Sequence, residues 1–204
     1  MNNSLQFNES PLFALRTGLS NALKFRDAYT RQHCDRVVDI SLAIADELNL
    51  SAHDLTILEF ASALHDVGKI AIPDSILLNP EILLDDEKEV MRSHAVIGAE
   101  IVAAYNHKDA QLVSDIIKHH HEWFDGSGYP NSLSNDNIPL LSRIITIADN
   151  YDAMALRRVY QVEKPHSKIM EIMEFESGRK LDPGLFELFK IIIERPENAE
   201  YKAS

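Results

Sequence analysis

Thiols are almost absent from this chain. Cys34 is the only cysteine among 204 residues, so no intrachain disulfide can form. Such usage fits a reducing compartment. Glycine is scarce, at seven residues. No apolar run approaches the roughly 20 residues that a membrane-spanning helix needs. The stretch from Met1 to Leu12 is polar and acidic, unlike the basic and apolar segments of a signal peptide. Cations are outnumbered: 20 Lys and Arg face 32 Asp and Glu, for a net charge of -12. That balance argues against nonspecific binding to DNA or to an anionic membrane. It leaves open a small anionic ligand held by a local cationic pocket or a metal. The chain is expected to be soluble and cytoplasmic.

What is present is aliphatic and helix-forming. Apolar residues make up 45% of the chain, an ordinary globular share. The length suits one domain with a substantial core. Pro11 opens a first helix to about Phe25. A long helix covers about Thr30–Leu48, where Val37, Val38, Ser41, Ile44, Ala45 and Leu48 recur at three- and four-residue steps. Ser51 followed by Asp54 reads as an N-cap with an acidic third position. The helix it starts runs to about His65, and Gly68 ends it. A connector with two prolines covers Ile70–Pro80. One helix is expected from the acidic start at Asp85 to about Tyr105, with Val90, His94, Ile97 and Ile101 on its buried face. Another runs from about Asp109 to His119. Glu122–Pro139 is a long loop of the kind that often carries function. Helices at Leu140–Met154, about Ser167–Glu176 and Pro183–Ile193 complete the pattern. No segment alternates with period two, so the expected fold is an all-α, single-domain helical bundle.

Three consecutive imidazoles, His119, His120 and His121, lead into Glu-Trp-Phe-Asp-Gly-Ser-Gly-Tyr-Pro, which ends at Pro130. A buried trio would need a partner for every ring nitrogen. A solvated His-rich loop is the bland reading. Metal binding is the sharper one, because neutral imidazole is a good transition-metal ligand. Other candidates lie elsewhere: His33 near the start of the long helix, His65-Asp66 at a helix end, His94 on an apolar stripe, and Asp149 inside an apolar helix. Each has an ordinary explanation alone. His94 suits a satisfied core histidine, His33 beside Arg36 a surface position, and Asp149 an ion pair with Arg143 or Arg157. The His65-Asp66 pair says more. Neighbours on a helix point about 100° apart, so both reach one site only near a helix end.

One shared site explains all of these polar intrusions at once. His33, His65, His94, His120 and His121 with Asp66 and Asp149, five imidazoles and two carboxylates without a thiolate, suit Fe, Mn, Zn, Ni or Co rather than Ca or Mg. Seven ligands are too many for a single ion that keeps a position open. Two ions bridged by a shared carboxylate fit better, and such pairs serve phosphate-ester hydrolysis. Asp66, at the helix tip, is the natural bridge.

His65-Asp66-Val67-Gly68-Lys69, together with His120-His121-Glu122-x-x-Asp125-Gly126-x-Gly128-Tyr129-Pro130, resembles the HD-GYP family of metal-dependent cyclic dinucleotide phosphodiesterases, a branch of the helical HD hydrolases. The resemblance covers about residues 28–190. Supporting matches are Thr30-x-x-His33-x-x-Arg36-Val37, Ile72-Pro73, His94-x-x-x-Gly98 and Arg143-Ile144-x-x-x-Ala148-Asp149-x-x-Asp152-Ala153. It implies an HD-domain bundle in which His33, His65, Asp66 and Asp149 hold one metal, Asp66 bridges, and His94, His120 and His121 hold the second. Two divalent ions are implied, Fe or Mn first, with Zn, Ni or Co compatible. His119 is then a bystander. Lys69 would meet substrate phosphate or the bridging hydroxide, and Tyr129, Asp152 and Arg158 would contact substrate. Gly126 and Gly128 would allow positive φ or a close chain approach. Domain bounds follow as an N-terminal segment over 1–27, the catalytic domain over 28–194 and a tail over 195–204.

Two departures qualify the resemblance. Some relatives bind a third metal through a Glu where this chain has Tyr29, so two ions are expected. After Asp152 a family Thr-Ser pair is replaced by Ala155 and Leu156, and Gln161 replaces a basic residue placed to meet phosphate. One cation fewer weakens the grip on a dianionic dinucleotide, although Arg157 is available nearby. The implied activity is hydrolysis of cyclic di-GMP to pGpG, and further to GMP, through a dinuclear site with a bridging hydroxide. The alternatives are a cyclic GMP-AMP preference, a non-cleaving sensor or adaptor, and a mononucleotide hydrolase, against which the Asp125–Pro130 motif argues. A diguanylate cyclase domain or a separate regulator is the protein partner to expect, and in the sensor alternative a cyclase would dock through the 122–139 loop.

Overall fold

The computed structural model describes residues 11–26, 28–155, 164–196 and 198. Ten α-helices follow in order: α1 (Pro11–Arg26), α2 (Ala28–Glu47), α3 (Ala52–Leu64), α4 (Asp74–Leu77), α5 (Asp85–Arg92), α6 (His94–Ala103), α7 (Ala110–Lys118), α8 (Leu140–Ala155), α9 (His166–Glu176) and α10 (Pro183–Ile193). Among the described residues no strand forms, and Ser177 and Leu181 make an isolated bridge. No described helix is long and apolar enough to cross a membrane.

The bundle is built around α8. Ile144, Ile145, Ile147, Ala148 and Tyr151 are all buried, so the helix is enclosed on most sides. α2 packs along it, carrying Val37, Ile40, Ile44 and Ala45 into the core. α3 covers α2 with Ile57, Leu58, Ala61 and Leu64. α9 and α10 close the far side, where Phe186 and Phe189 pack near Tyr151. Caps fix two helix starts, the first as the sequence suggests. The Ser51 hydroxyl accepts from the Asp54 amide at 3.1 Å and donates to the Asp54 carboxylate at 2.6 Å. Asp182 accepts from the amides of Gly184 and Leu185 ahead of Pro183.

Three differences from the sequence reading bear on the site. The expected long helix over Asp85–Tyr105 is two helices, broken at Ser93. Ser93 keeps helical angles (φ -62, ψ -17), but its hydroxyl donates to the Val90 carbonyl at 2.6 Å. A side chain that bonds the backbone locally competes with the helical ladder. The break turns Val90 outward and sets His94 at the head of α6, buried. Next, α3 ends at Leu64, ahead of Gly68, which lies inside a 3-10 turn over Val67–Ala71. A Cβ at Gly68 would lie 2.0 Å from the His94 carbonyl oxygen, so glycine is there to let this turn press on α6. Finally, the sequence reading set α1 in a segment ahead of the catalytic domain and gave it no packing partner. In the structure it packs on α2, α3 and the 3-10 turn; Arg16 pairs with Glu59, and Arg26 bonds the Ile72 carbonyl and Asp74.

Candidate metal centre

Five elements deliver seven side chains to one point: His33 from α2, His65 and Asp66 from the end of α3, His94 from the head of α6, His120 and His121 from beyond α7, and Asp149 from α8. They form two groups. Ligand atoms of His33, His65 and Asp66 lie within 4.8 Å of one another, and so do those of His94, His120 and His121. The groups abut, with the rings of His65 and His120 at 5.2 Å. Asp149 joins the first group, its Oδ1 at 3.1 Å from His33 Nε2 and 3.9 Å from His65 Nε2.

Asp66 stands between them with its oxygens divided. Oδ2 faces the first group, 3.6 Å from His65 Nε2 and 4.0 Å from His33 Nε2. Oδ1 faces the second, 3.4 Å from His94 Nε2. Lys69 Nζ lies 2.5 Å from Oδ2. Burial would raise the Asp66 pKa, but the Lys69 charge and the surrounding imidazoles outweigh it and hold the carboxyl well below its ordinary range. Burial likewise opposes ionisation of Lys69, and the Asp66 carboxylate overrides it and raises the ammonium pKa.

The imidazoles are set in one tautomer by bonds at their rear. Nδ1 of His65 donates to the Ser62 carbonyl at 2.7 Å, that of His94 to Met91 at 2.7 Å, and that of His120 to Ile117 at 2.6 Å. A carbonyl can only accept, so each Nδ1 carries the proton and each Nε2 presents a lone pair. All three Nε2 atoms are buried without a hydrogen-bond partner. An orphaned acceptor in a protein interior is costly and asks for an explanation. Burial lowers the pKa of His94, lowers that of His121 well below its ordinary value, and takes His120 down to about 3. The second group is therefore neutral at pH 7, the state a metal needs. The donors fit a divalent transition metal: neutral nitrogens aimed inward, carboxylates beside them, and rear bonds that fix ring orientation.

The other sequence candidates fall into place unequally. Tyr129 packs on His121, ring centroids 4.9 Å apart, with Arg92 over its ring at 5.2 Å. His119 turns away, its nitrogens 2.7 Å from the Asp115 carbonyl and 3.1 Å from Asn131. Asp152, expected at the substrate, is instead 2 % exposed. One oxygen takes His33 Nδ1 at 2.6 Å and the other takes Arg36 Nε at 2.6 Å. Arg158 lies outside the described residues, as do Arg157, Tyr160 and Gln161.

The loop after His121 is held by its own bonds. Glu122, buried, accepts from the amides of Asn131 at 2.6 Å and Leu133 at 3.0 Å. The Tyr129 amide returns to the His121 carbonyl at 3.1 Å, and the Tyr129–Pro130 peptide is cis. Gly126 supplies the positive φ and Gly128 the close approach, a Cβ there lying 2.2 Å from the Trp123 nitrogen. From α8, Ser142 and Thr146 donate to the carbonyls of Ile116 and His120, which pins the end of α7. The sequence reading missed the anchoring roles of Glu122, Ser142 and Thr146. The one available signal was polarity at positions whose neighbours are apolar.

Comparison with known proteins points the same way. A family model described as HD domain matches residues 16–185. The chain is 40% identical over 181 residues to a cyclic di-GMP phosphodiesterase of Thermotoga maritima, covering 89% of this chain and 49% of that protein. It is 39% identical over 170 residues to 3'3'-cGAMP-specific phosphodiesterase 2 of Vibrio cholerae, covering 83% and 33%. The chain thus spans at most about half the length of these curated relatives. Among solved structures, a cyclic GMP-AMP specific phosphodiesterase of V. cholerae shares the fold, with a TM-score of 0.70, 21% identity, and coverage of 91% of this chain and 49% of that one.

Proposed function

We propose, since the chain belongs to the HD-domain family, that it hydrolyses a 3',5'-phosphodiester of a cyclic dinucleotide, cyclic di-GMP first, to pGpG and further to GMP. The observation that carries this is Asp66, one oxygen turned to each of two ligand groups. Two divalent ions, Fe or Mn by preference, would be held there, one by His33, His65, Asp149 and Asp66 and the other by His94, His120, His121 and Asp66. Such a pair supplies Lewis acidity at phosphorus and a water acidic enough to attack at neutral pH.

The chain's own residues do the rest. His65, His94 and His120 keep Nε2 turned inward because their Nδ1 protons are bound to backbone carbonyls. Lys69, at the rim of Asp66, is placed to swing its ammonium onto a non-bridging phosphoryl oxygen, where it would offset charge as the transition state forms. Tyr129, stacked on His121, gives the second group an apolar wall against which a base can lie. Arg158, outside the described residues, is proposed from the family pattern to hold phosphate.

The test is direct. The chain, reloaded with Mn or Fe(II), is incubated with cyclic di-GMP, 3'3'-cyclic GMP-AMP and mononucleotides, and the products are separated. Linear dinucleotide from a cyclic one supports the reading. Turnover of mononucleotides alone would replace it with a general nucleotidase. A second reading has its own support: Ala155, Leu156 and Gln161 depart in sequence from the family pattern, and one relative above is named for cyclic GMP-AMP. Faster cleavage of cyclic GMP-AMP would favour that substrate. Tight binding without cleavage would favour a sensor, for which the 122–139 loop is the proposed face toward a cyclase or regulator.

A further inference from the structure

His33 is held differently from the other inward-facing histidines. His65, His94 and His120 each rest Nδ1 on a backbone carbonyl three residues earlier. His33 rests Nδ1 on a carboxylate, Asp152 Oδ2 at 2.6 Å, from a helix 119 residues along the chain. Asp149, one turn earlier on α8, meets the opposite nitrogen of the same ring at 3.1 Å. The carboxylate behind is itself clamped. Arg36, one turn along α2 from His33, donates Nε to Asp152 Oδ1 at 2.6 Å and a terminal nitrogen to Oδ2 at 3.2 Å. Both oxygens of Asp152 are thus engaged, and it lies 2 % exposed behind the ring rather than in front of it.

We propose that Asp152, clamped by Arg36, is the positioning residue that fixes the tautomer of His33 and makes the metal group of His33, His65, Asp66 and Asp149 the tighter of the two. This rests on the two-metal reading above. An ionised carboxylate accepts from both the ring and the guanidinium, so the proton stays on Nδ1 and Nε2 is the nitrogen at which a metal would displace a proton. A carboxylate behind an imidazole also makes the ring a stronger donor than a carbonyl does. An amide has one acceptor oxygen. Given to Arg36, it leaves an N–H facing His33, which drives the ring proton to Nε2 and blocks ligation there. The second group has no connection to Asp152 and is predicted to be insensitive.

The test counts zinc. Wild-type chain, stripped with chelator and titrated with Zn2+, is expected to bind two ions. Asp152→Asn is expected to keep its helical circular dichroism and to weaken one ion by about 10–100-fold while the other is unchanged. Asp152→Glu should recover part of the loss. Unchanged binding in Asp152→Asn, or equal weakening of both ions, overturns the proposal. If that variant does not fold, the zinc-loaded wild type decides by imidazole nitrogen NMR. A proton on His33 Nδ1, resonating downfield of those on His65, His94 and His120, supports it, because charge-assisted hydrogen bonds are the stronger kind. A proton on Nε2, or one no further downfield, overturns it. A wild type that binds no zinc removes the metal reading itself, and that outcome requires no variant.

Discussion

Asp66 is where charge, burial and ligation meet, and its removal should be felt in both groups. Asp66→Asn keeps the size but leaves one acceptor oxygen where two are used. It should release metal from both groups and cut turnover by at least the roughly 10²–10³-fold lost when one transition-state contact is removed. Metal analysis beside steady-state kinetics checks this. Lys69→Met should separate the two effects: metal content stays, and kcat falls. The ligand set was legible at this scale because chemistry-bearing residues stand out in apolar helices. His94 interrupts an apolar stripe, and His65-Asp66 closes a helix. Asp152 was misplaced because its residue type says only that it needs partners. Nothing in the sequence tells whether those partners are a ligand or a histidine and an arginine from α2.

At the scale of elements, two tight contacts aim the ligands. One is Gly68 against the head of α6. Gly68→Ala would force the 3-10 turn off the His94 carbonyl, which is backbone and cannot swing aside. Overpacking of this kind costs about 1–3 kcal/mol, and here it also moves a ligand. Thermal melts should show the loss, and zinc titration should show a weakened second group. The other is the Glu122 staple in the 122–139 loop. Glu122→Gln retains one acceptor for two part-buried amides, and the one left over costs up to about 1–3 kcal/mol. Thermal denaturation of the metal-free chain reads that directly. The helices themselves were largely readable, since α2, α3, α7, α8 and α10 follow their apolar periods and caps within a residue or two. The break between α5 and α6 was not. Ser93 is a weak breaker, and a hydroxyl donating to Val90 leaves no mark that Gly or Pro would leave. The packing of α1 was equally hidden, because its anchors, Arg16 and Arg26, look like surface cations until their partners are known.

At the scale of the whole molecule, the bundle gathers uncompensated ligands in its interior and depends on pH accordingly. Burial lowers the pKa values of His94, His120 and His121, that of His120 to about 3 from an ordinary 6.5. Between those values the unfolded chain binds protons that the folded chain refuses, so stability falls as pH falls. Asp66 and Asp149, held well below the ordinary carboxylate value, act with the same sign at the acid end. His33 opposes them. Burial pulls it down, but Asp149 and Asp152 lift it to about 9, so its contribution is complete below pH 6.5 and is lost as pH rises through 9. Three histidines outweigh one on the acid side. Melts in chelator should therefore show a lower Tm at pH 5 than at pH 7, and a higher one would contradict the assignment of neutral, buried ligands. Added metal should raise Tm, by the equivalent of about 2.7 kcal/mol at a hundred times Kd.

The claim on which the rest depends is that Asp66 joins two metal groups. Anomalous diffraction from crystals of the manganese-loaded chain addresses it without reference to activity. Two peaks are expected, one among His33, His65, Asp66 and Asp149 and one among Asp66, His94, His120 and His121, with one Asp66 oxygen on each. A single peak, or both Asp66 oxygens on one ion, would contradict the account.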